Sequence, residues 1–487
     1  MYIGRFSRAE LITGSRATCK GQRPEQGFAC RLWDAVSRRK DGKVIDFKLD
    51  EEFANKLVWV EQFVREKIEP LDALFPEHGA PWNPRDKVAM KIVRPLQAEV
   101  KAQGLWGAHL PPELGGPGWS AVQLLHLNEI LGQTHWGPTV FGCQAPDSGN
   151  SEILARFGTE EQKRRYLDPL LANEIVSCFS MTEPEGGSDP TQFTCRAELD
   201  GDEWVINGEK WFSSNARFAE FNIVVCVTDP DAPTYNKMST ILVPYDAPGI
   251  TILSNPGLPG EPFPDGTHAH IRYENVRVPA DALLGPRGGG FMVAQSRLGG
   301  GRIHHAMRTI GMCKKAIDMM TQRAHARVTK GSTLAKKQLV QVDIGQAWIQ
   351  WQQFRLLVLR TAWMFDNHME KDALPWIAAC KVACAQVSQD IIFKAAHMLG
   401  SLGVSNQTPL GRMWASTVMA MGMADGPTEI HQMFVARALL KEAQPYEGRF
   451  PPEYLPHLRG RAVAMWGERE DTSPELAADY ARMAEIR

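Results

Sequence analysis

The sequence predicts a three-part chain in which two helical regions flank a β-domain. Apolar residues recur at helical spacing from about residue 49 to 173. Between about 176 and 285 the pattern changes to two-residue alternation broken by glycine turns, and from 291 to 441 helical spacing returns. The expected divisions are an extension over 1–43, an N-terminal helical domain over 44–175 and a middle β-domain over 176–290. A C-terminal helical domain over 291–441 and a tail over 442–487 complete the chain.

With 487 residues, 44% hydrophobic and 23% charged, the chain is long enough for more than one packed region and too apolar to stay unfolded. It holds no run of about 18 apolar residues, so no membrane span is expected. A formal net charge of −2 gives no electrostatic pull toward nucleic acid. Nine cysteines, thinly spread from Cys19 to Cys384, fit reduced thiols rather than a disulfide framework. That usage points to bacterial cytoplasm, or to the mitochondrial matrix in a eukaryote. Cys380 and Cys384, one helical turn apart, are expected to be small core residues and not metal ligands.

Residues 1–43 carry Arg5, Arg8, Arg16, Arg23, Arg31, Arg38 and Arg39 with little periodicity, and are expected to be poorly ordered. A transit-like segment and an over-long start ahead of Val44 are the alternatives. The first helix is set by Phe53, Leu57, Val60 and Phe63 and runs to Ile68 before Pro70 stops it. The runs Gly104-Leu105-Trp106-Gly107 and Pro111-Pro112-Glu113-Leu114-Gly115-Gly116 break the helices. Ala145-Pro146-Asp147-Ser148-Gly149-Asn150 follows, and Thr159 with Gln162 forms a capping box.

In the β-region, Phe193–Leu199, Glu203–Ile206 and Lys210–Phe212 are short alternating runs separated by Asp200-Gly201 and Asn207-Gly208, both read as hairpin turns. Apolar strands are expected over Phe221–Val227, Ser239–Val243 and His270–Val276. His268 and His270 share one strand face, and without a Cys or acidic partner at metal spacing they are read as packing or hydrogen-bonding groups. No strand is followed by Gly-x-Gly-x-x-Gly, so a nicotinamide-binding Rossmann unit is not supported.

Two stretches carry chemistry. Phe179-Ser180-Met181-Thr182-Glu183-Pro184-Glu185-Gly186-Gly187-Ser188-Asp189 offers glycines and hydroxyls after a strand, which exposes backbone N–H groups to a ligand. Met423-Ala424-Asp425-Gly426-Pro427-Thr428-Glu429-Ile430 reads as a tight turn opening an amphipathic helix with Ile430, Met433, Phe434 and Ala438 on one face. It puts the Asp425 carboxylate at a helix mouth, as a reactive group or as an N-cap. Past Lys441, Pro445, Pro451, Pro452 and Pro456 are expected to interrupt helix formation, with a last short helix over Glu475–Arg487.

These stretches resemble the acyl-CoA dehydrogenases, in the family's order over about residues 47 to 441, and the branch known as family members ten and eleven in detail. The resemblance implies the three-domain acyl-CoA dehydrogenase fold and FAD as cofactor. It implies α,β-dehydrogenation of an acyl-CoA thioester, with electron-transfer flavoprotein as acceptor and a homo-oligomer, either a dimer or a dimer of dimers. Asp425 stands where the family carries its catalytic base, usually Glu. Gly301, in Gly301-Arg302-Ile303-His304-His305, stands where some relatives carry the base instead and cannot supply one. The same matching implies Ser188, Arg302 and Gly426 at the substrate. It puts Phe179, Met181, Thr182, Ser188, Phe212, Ser214, Pro427 and Glu429 at the flavin. Arg327, Thr329 and Gln338, with His397, Gly400 and Ser401, match segments that hold FAD across a subunit interface. Lys330 departs from the family's Phe, and His397 and Ser401 from its Gln and Gly. Two alternatives stay open. One is an oxidase of the same superfamily, similar to nitroalkane oxidase; the other is a scaffold similar to the DNA-associated members.

Overall fold

The computed structural model describes residues 45–74 and 83–466 apart from Gly115, Pro262, Gln444 and Glu447, together with Ala478 and Arg482. The expected extension over 1–43 lies outside the described residues, as does nearly all of the expected last helix. Helix α1, Glu51–Phe63, starts where the Asp50 carboxylate accepts from the Phe53 N–H and continues as a π-turn to Ile68. Phe53, Val60 and Phe63 are buried, so the spacing read from sequence marks the core face. Then come α2 (Lys87–Ala102), α3 (Ala121–Leu131) and α4 (Asp147–Phe157). Thr159 and Gln162 form the expected reciprocal capping box, and Ser120 with Gln123 forms a second at the start of α3.

The sheet holds β1 (Ser177–Ser180), β2 (Arg196–Asp200), β3 (Glu203–Ser214), β4 (Phe221–Val227), β5 (Met238–Pro244), β6 (Ile250–Ser254), β7 (His268–Pro279) and β8 (Leu283–Leu284). Its order is β6-β7-β3-β2-β4-β5-β8, with β1 parallel to β4. In β4 and β5, Val224, Cys226, Ile241 and Val243 point to one core with Trp204, Ile271 and Tyr273. Phe221, Ile223 and Leu242 point to another with Ile153, Leu154 and Leu167. Burial on both faces explains why these strands read as largely apolar runs without strict alternation, with Asn222, Ser239 and Thr240 buried among the apolar side chains.

One turn expectation fails. Asp200-Gly201 does close the β2–β3 hairpin, with Gly201 at φ +66°. Asn207-Gly208 closes nothing: β3 runs straight through it and pairs with β7 across a register shift between Ile206 and Gly208. Gly208, at φ +139°, is a bulge residue whose missing side chain lets Cys195 approach, since a Cβ there would lie 2.6 Å from the Cys195 Cα.

Helix α5, Gly290–Ala326, leads to a small hairpin of β9 (Val328–Thr329) and β10 (Ser332–Thr333) with Lys330 and Gly331 both at positive φ. Helices α6 (Gln338–Asp366), α7 (Glu370–Leu399) and α8 (Thr428–Glu442) follow. Val60, Val93 and Leu125 from the first helices share one core with Ile310, Val358 and Ile391 from the later ones. Cys380 and Cys384 are fully buried there, and Cys384 donates to the Thr309 hydroxyl. The expectation that the prolines past Lys441 interrupt helix formation is corrected at Pro456, which lies inside the helix Leu455–Trp466. Pro456 sits in its first turn, where no intrahelical N–H is needed. No helix of the described residues is long and apolar enough to cross a membrane.

Candidate active site

The Asp425-Gly426 turn is conformationally strained. Asp425 sits at φ +58° and Gly426 at φ +107°, and a non-glycine residue in the left-handed region costs on the order of 1–3 kcal/mol. Asp425 lies three residues ahead of the first helical residue of α8 and is left-handed rather than extended, so it is not the N-cap of that helix. Its main-chain carbonyl is gripped instead, accepting from Arg302 Nε at 2.9 Å and facing His431 Nε2 at 3.2 Å. This leaves the carboxylate, 16% exposed, turned toward α5 with Oδ2 at 3.6 Å from His305 Nε2. At Gly301 an added Cβ would lie 3.2 Å from that oxygen. The glycine therefore keeps the space in front of the carboxylate clear.

The expected apolar face of α8 is not part of this arrangement. Ile430, Met433 and Phe434 are 38%, 44% and 45% exposed, and His431 is the residue the helix buries. The turn rotates α8 so that His431 meets the Asp425 carbonyl, which sends the apolar stripe outward.

Cations crowd the same place. Burial lowers the pKa of Arg297, Arg302, Arg308 and Lys381, and the Asp425 carboxylate is among the groups that oppose it in each. Arg297 donates to Asn150 Oδ1 at 2.7 Å and lies 4.2 Å over the Phe179 ring, which ties the base region to β1. Lys381 is fully buried and donates to the Met421 carbonyl, fixing the turn of helix just ahead of Asp425. Glu152, whose carboxyl burial pushes up to about 7, sits where a Cβ on Gly300 would lie 3.1 Å from its Oε2. Sequence reasoning missed Arg297, Lys381 and Glu152. Only Arg297 left a signal, since Arg297, Gly301, His305 and Arg308 recur at helical spacing along one side of α5.

Three histidines are held neutral by burial, and one of them, His305, faces the carboxylate. Burial pushes His109 down to about 4, His304 to about 3 and His305 to about 4, the last despite the opposing pull of Asp425. Both ring nitrogens of His109 are buried with no hydrogen-bond partner among the described residues, and its ring meets His304 edge-on. A histidine with a depressed folded pKa leaves the unfolded chain binding more protons below its ordinary value of 6.5. Its contribution to stability is therefore present above pH 6.5 and lost as pH falls toward 4. His109→Leu is expected to leave the melting temperature at pH 7.5 unchanged or higher, because an unpartnered polar ring gives way to an apolar side chain. It is also expected to flatten the fall of that temperature between pH 6.5 and 4.5. Parallel melting curves for the variant and the unsubstituted protein across that range would refute the assignment.

The glycine-rich loop after β1 presents donors. Among the described residues, nothing accepts from the N–H groups of Thr182, Gly187 and Ser188. The loop is fastened to β3 through Trp211 N–H, which donates to the Thr182 carbonyl at 2.8 Å. The residues after Trp211 are shaped to face outward: Phe212 is at φ +57° and 38% exposed, and stacks on His268 at 4.4 Å. Ser214 Oγ lies 2.8 Å from His268 Nδ1, and His270 pairs with Glu209 at 2.7 Å. The two histidines thus pack and hydrogen-bond.

The predicted residues fall into three places. Asp425, Gly426, Pro427 and Arg302 meet at the α5–α8 turn, with Phe179 joined to them through Arg297. Met181, Thr182, Phe212 and Ser214 cluster where the loop meets β3, and Ser188 is exposed on the same loop. Arg327, Thr329 and Gln338 flank the β9–β10 hairpin, while His397, Gly400 and Ser401 lie exposed at the end of α7, His397 against Phe393. Glu429 is exposed in the first turn of α8. No hydrogen bond among the described residues joins the hairpin or α7 groups to the Asp425 turn.

Three family models match in series. They are the acyl-CoA dehydrogenase N-terminal domain over residues 56–174, the middle domain over 178–276 and the C-terminal domain over 288–440. The chain is 38% identical over 400 residues to "Probable acyl-CoA dehydrogenase FadE2" of Mycobacterium tuberculosis, covering 81% of this chain and 97% of that one. It is 38% identical over 394 residues to "Acyl-CoA dehydrogenase family member 10" of Mus musculus, covering 78% of this chain and 36% of that longer protein. The chain thus spans about a third of the mouse relative. A solved structure from Mycobacterium abscessus, named for the same activity, superposes with a TM-score of 0.75 at 36% identity, covering 81% of this chain and 99% of that one.

Proposed function

The chain belongs to the acyl-CoA dehydrogenase family of flavin-dependent oxidoreductases, and from that premise we propose that it removes the α and β hydrogens of an acyl-CoA thioester with Asp425 as the base. FAD is its cofactor, and when bound it supplies the hydride acceptor. The donor set of the loop suits that group. Unpartnered N–H groups at Thr182, Gly187 and Ser188 match the carbonyl and phosphate oxygens of a flavin dinucleotide, and the exposed Phe212 ring offers a flat apolar wall.

The observation that carries the reading is the Asp425 turn. Its peptide is held from behind by Arg302 and His431, and its carboxylate faces the gap kept open by Gly301. A carboxylate so fixed can take the α-proton of a thioester without reorganising. His305, neutral at pH 7, stands beside it without competing as a fixed cation. The half-buried cations Arg297, Arg302 and Arg308 favour the negative charge that develops on the thioester oxygen.

Electron-transfer flavoprotein as acceptor, and a homo-oligomer, belong to the same proposal. The exposed positions of Arg327, Gln338, His397 and Ser401 on a single chain, and the outward Ile430, Met433 and Phe434 stripe, support the oligomer.

The test is an anaerobic titration of the purified flavoprotein with saturated acyl-CoAs of increasing length. Bleaching of the flavin with a long-wavelength charge-transfer band is expected, and the ranking identifies the chain length. Bound flavin that no acyl-CoA reduces would overturn the dehydrogenase reading and favour oxidation of a small carbon acid such as a nitroalkane.

A further inference from the structure

Lys210, on β3, is fully buried, and the proposed chemistry leaves it without a role. Its ammonium donates to Glu183 Oε1 at 2.8 Å and to the Met181 main-chain carbonyl at 2.8 Å, and lies 4.7 Å from the centre of the Phe193 ring. Glu183 is 3% exposed and equally committed. Its Oε1 also accepts from Cys195 N–H at 3.0 Å, and its Oε2 accepts from the Thr194 N–H at 2.6 Å and hydroxyl at 2.9 Å. A buried pair of this kind is poor evidence for stability as such, because apolar side chains of the same volume often hold a fold as well. What the pair does that apolar residues could not is place a full positive charge on one particular peptide group.

That peptide joins Met181 to Thr182. Its carbonyl and its N–H are opposite ends of one planar trans unit, so a cation on the oxygen draws electron density from the nitrogen and points the N–H the other way. The N–H at that far end is Thr182's, which nothing among the described residues accepts. On the other flank the Thr182 carbonyl is tied to Trp211 N–H at 2.8 Å, so the unit cannot turn away.

We infer that the buried Lys210–Glu183 pair sets the reduction potential of the bound flavin by polarising the Met181–Thr182 peptide. The inference rests on the proposed placement of this loop against the flavin's pyrimidine edge. That edge becomes more negative on reduction, and a stronger N–H donor aimed at it favours the reduced form. Low local dielectric magnifies the effect, because the pair is dry. Glu183 holds the ammonium in place; it is a positioning residue, as is Lys210, and neither touches the substrate.

The test is the flavin reduction potential, read against a reference dye, in FAD-loaded protein carrying Glu183→Gln together with Lys210→Met. This double variant removes both charges and leaves no buried ion alone. At the poise where the native flavin is half reduced, its ratio of reduced to oxidised flavin is expected to fall at least tenfold, about 30 mV for a two-electron couple. Lys210→Arg, which keeps the charge, is expected to hold the native potential. A native potential in the double variant, accompanied only by a lower melting temperature, would show that the pair merely packs the loop. Lys210→Arg falling as far as the double variant would equally overturn the inference. Should the double variant not fold, Lys210→Gln keeps a neutral donor to the Met181 carbonyl, and a native potential there overturns it as well. Failure of acyl-CoAs to reduce the unsubstituted protein counts against the dehydrogenase reading, and leaves the potential shift measurable by dye.

Discussion

Asp425→Asn is expected to purify with FAD bound, melt close to the unsubstituted protein and turn over acyl-CoA at least roughly a thousandfold more slowly, the upper range for loss of a general base. The amide is the same size, and the Arg302 and His431 contacts are made to the main-chain carbonyl, so the turn survives. What disappears is, among the described residues, the only carboxylate within 4 Å of a Cβ placed at Gly301. A single-turnover measurement of flavin bleaching checks this directly, and near-native bleaching would remove Asp425 from the base role. The geometry also predicts where a base could be moved. A side chain started at residue 301 begins 3.2 Å from the Asp425 carboxylate. Asp425→Gly combined with Gly301→Glu should therefore recover part of the lost rate, whereas either change alone should not exceed the native rate.

Gly426→Ala should also be damaging, by a different route. At φ +107° an alanine is strained by on the order of 1–3 kcal/mol. Its Cβ would also stand 3.0 Å from His431 Nε2, the nitrogen that faces the Asp425 carbonyl. Relief requires the turn or His431 to move, and either shift displaces the carboxylate. Misplacement of a reacting group by about 1 Å costs on the order of a hundredfold in rate. The expected result is a lower melting temperature together with that loss in kcat, with FAD affinity little changed because the loop at Thr182 is built from other residues. A variant that melts and turns over normally would mean the turn is not rigid in the way its dihedrals imply.

The features legible in the sequence were those that neighbours along the chain decide. The capping box at Thr159 and Gln162 needs only residues three apart, and the β2–β3 hairpin needs only Asp200-Gly201. The run Phe221–Val227, apolar but for Asn222, announces a strand covered on both faces, and it is one. The run from Phe179 to Asp189 and the Asp425-Gly426 turn were visible for the same reason, since a loop that must expose N–H groups or adopt positive φ writes glycine and small polar residues consecutively.

Local signals failed where a distant partner outweighed them. Asn207-Gly208 has the composition of a hairpin turn, but pairing of β3 with β7 continues past it and uses the glycine as a bulge against Cys195. The apolar spacing of α8 marks a real stripe, yet the direction that stripe faces is set by Asp425 and Gly426 and by the His431 contact, and it faces out. The sequence by itself determined the three-part architecture, through changes of apolar period along the chain, and marked the two loops with their candidate base Asp425, each written in a few consecutive residues. Tertiary structure alone decided what surrounds that base. Arg297 on α5 and Lys381 on α7 come to the turn from distant parts of the chain, and Lys210 reaches Met181 from β3. Their charges act through space and burial, which no spacing along the chain records.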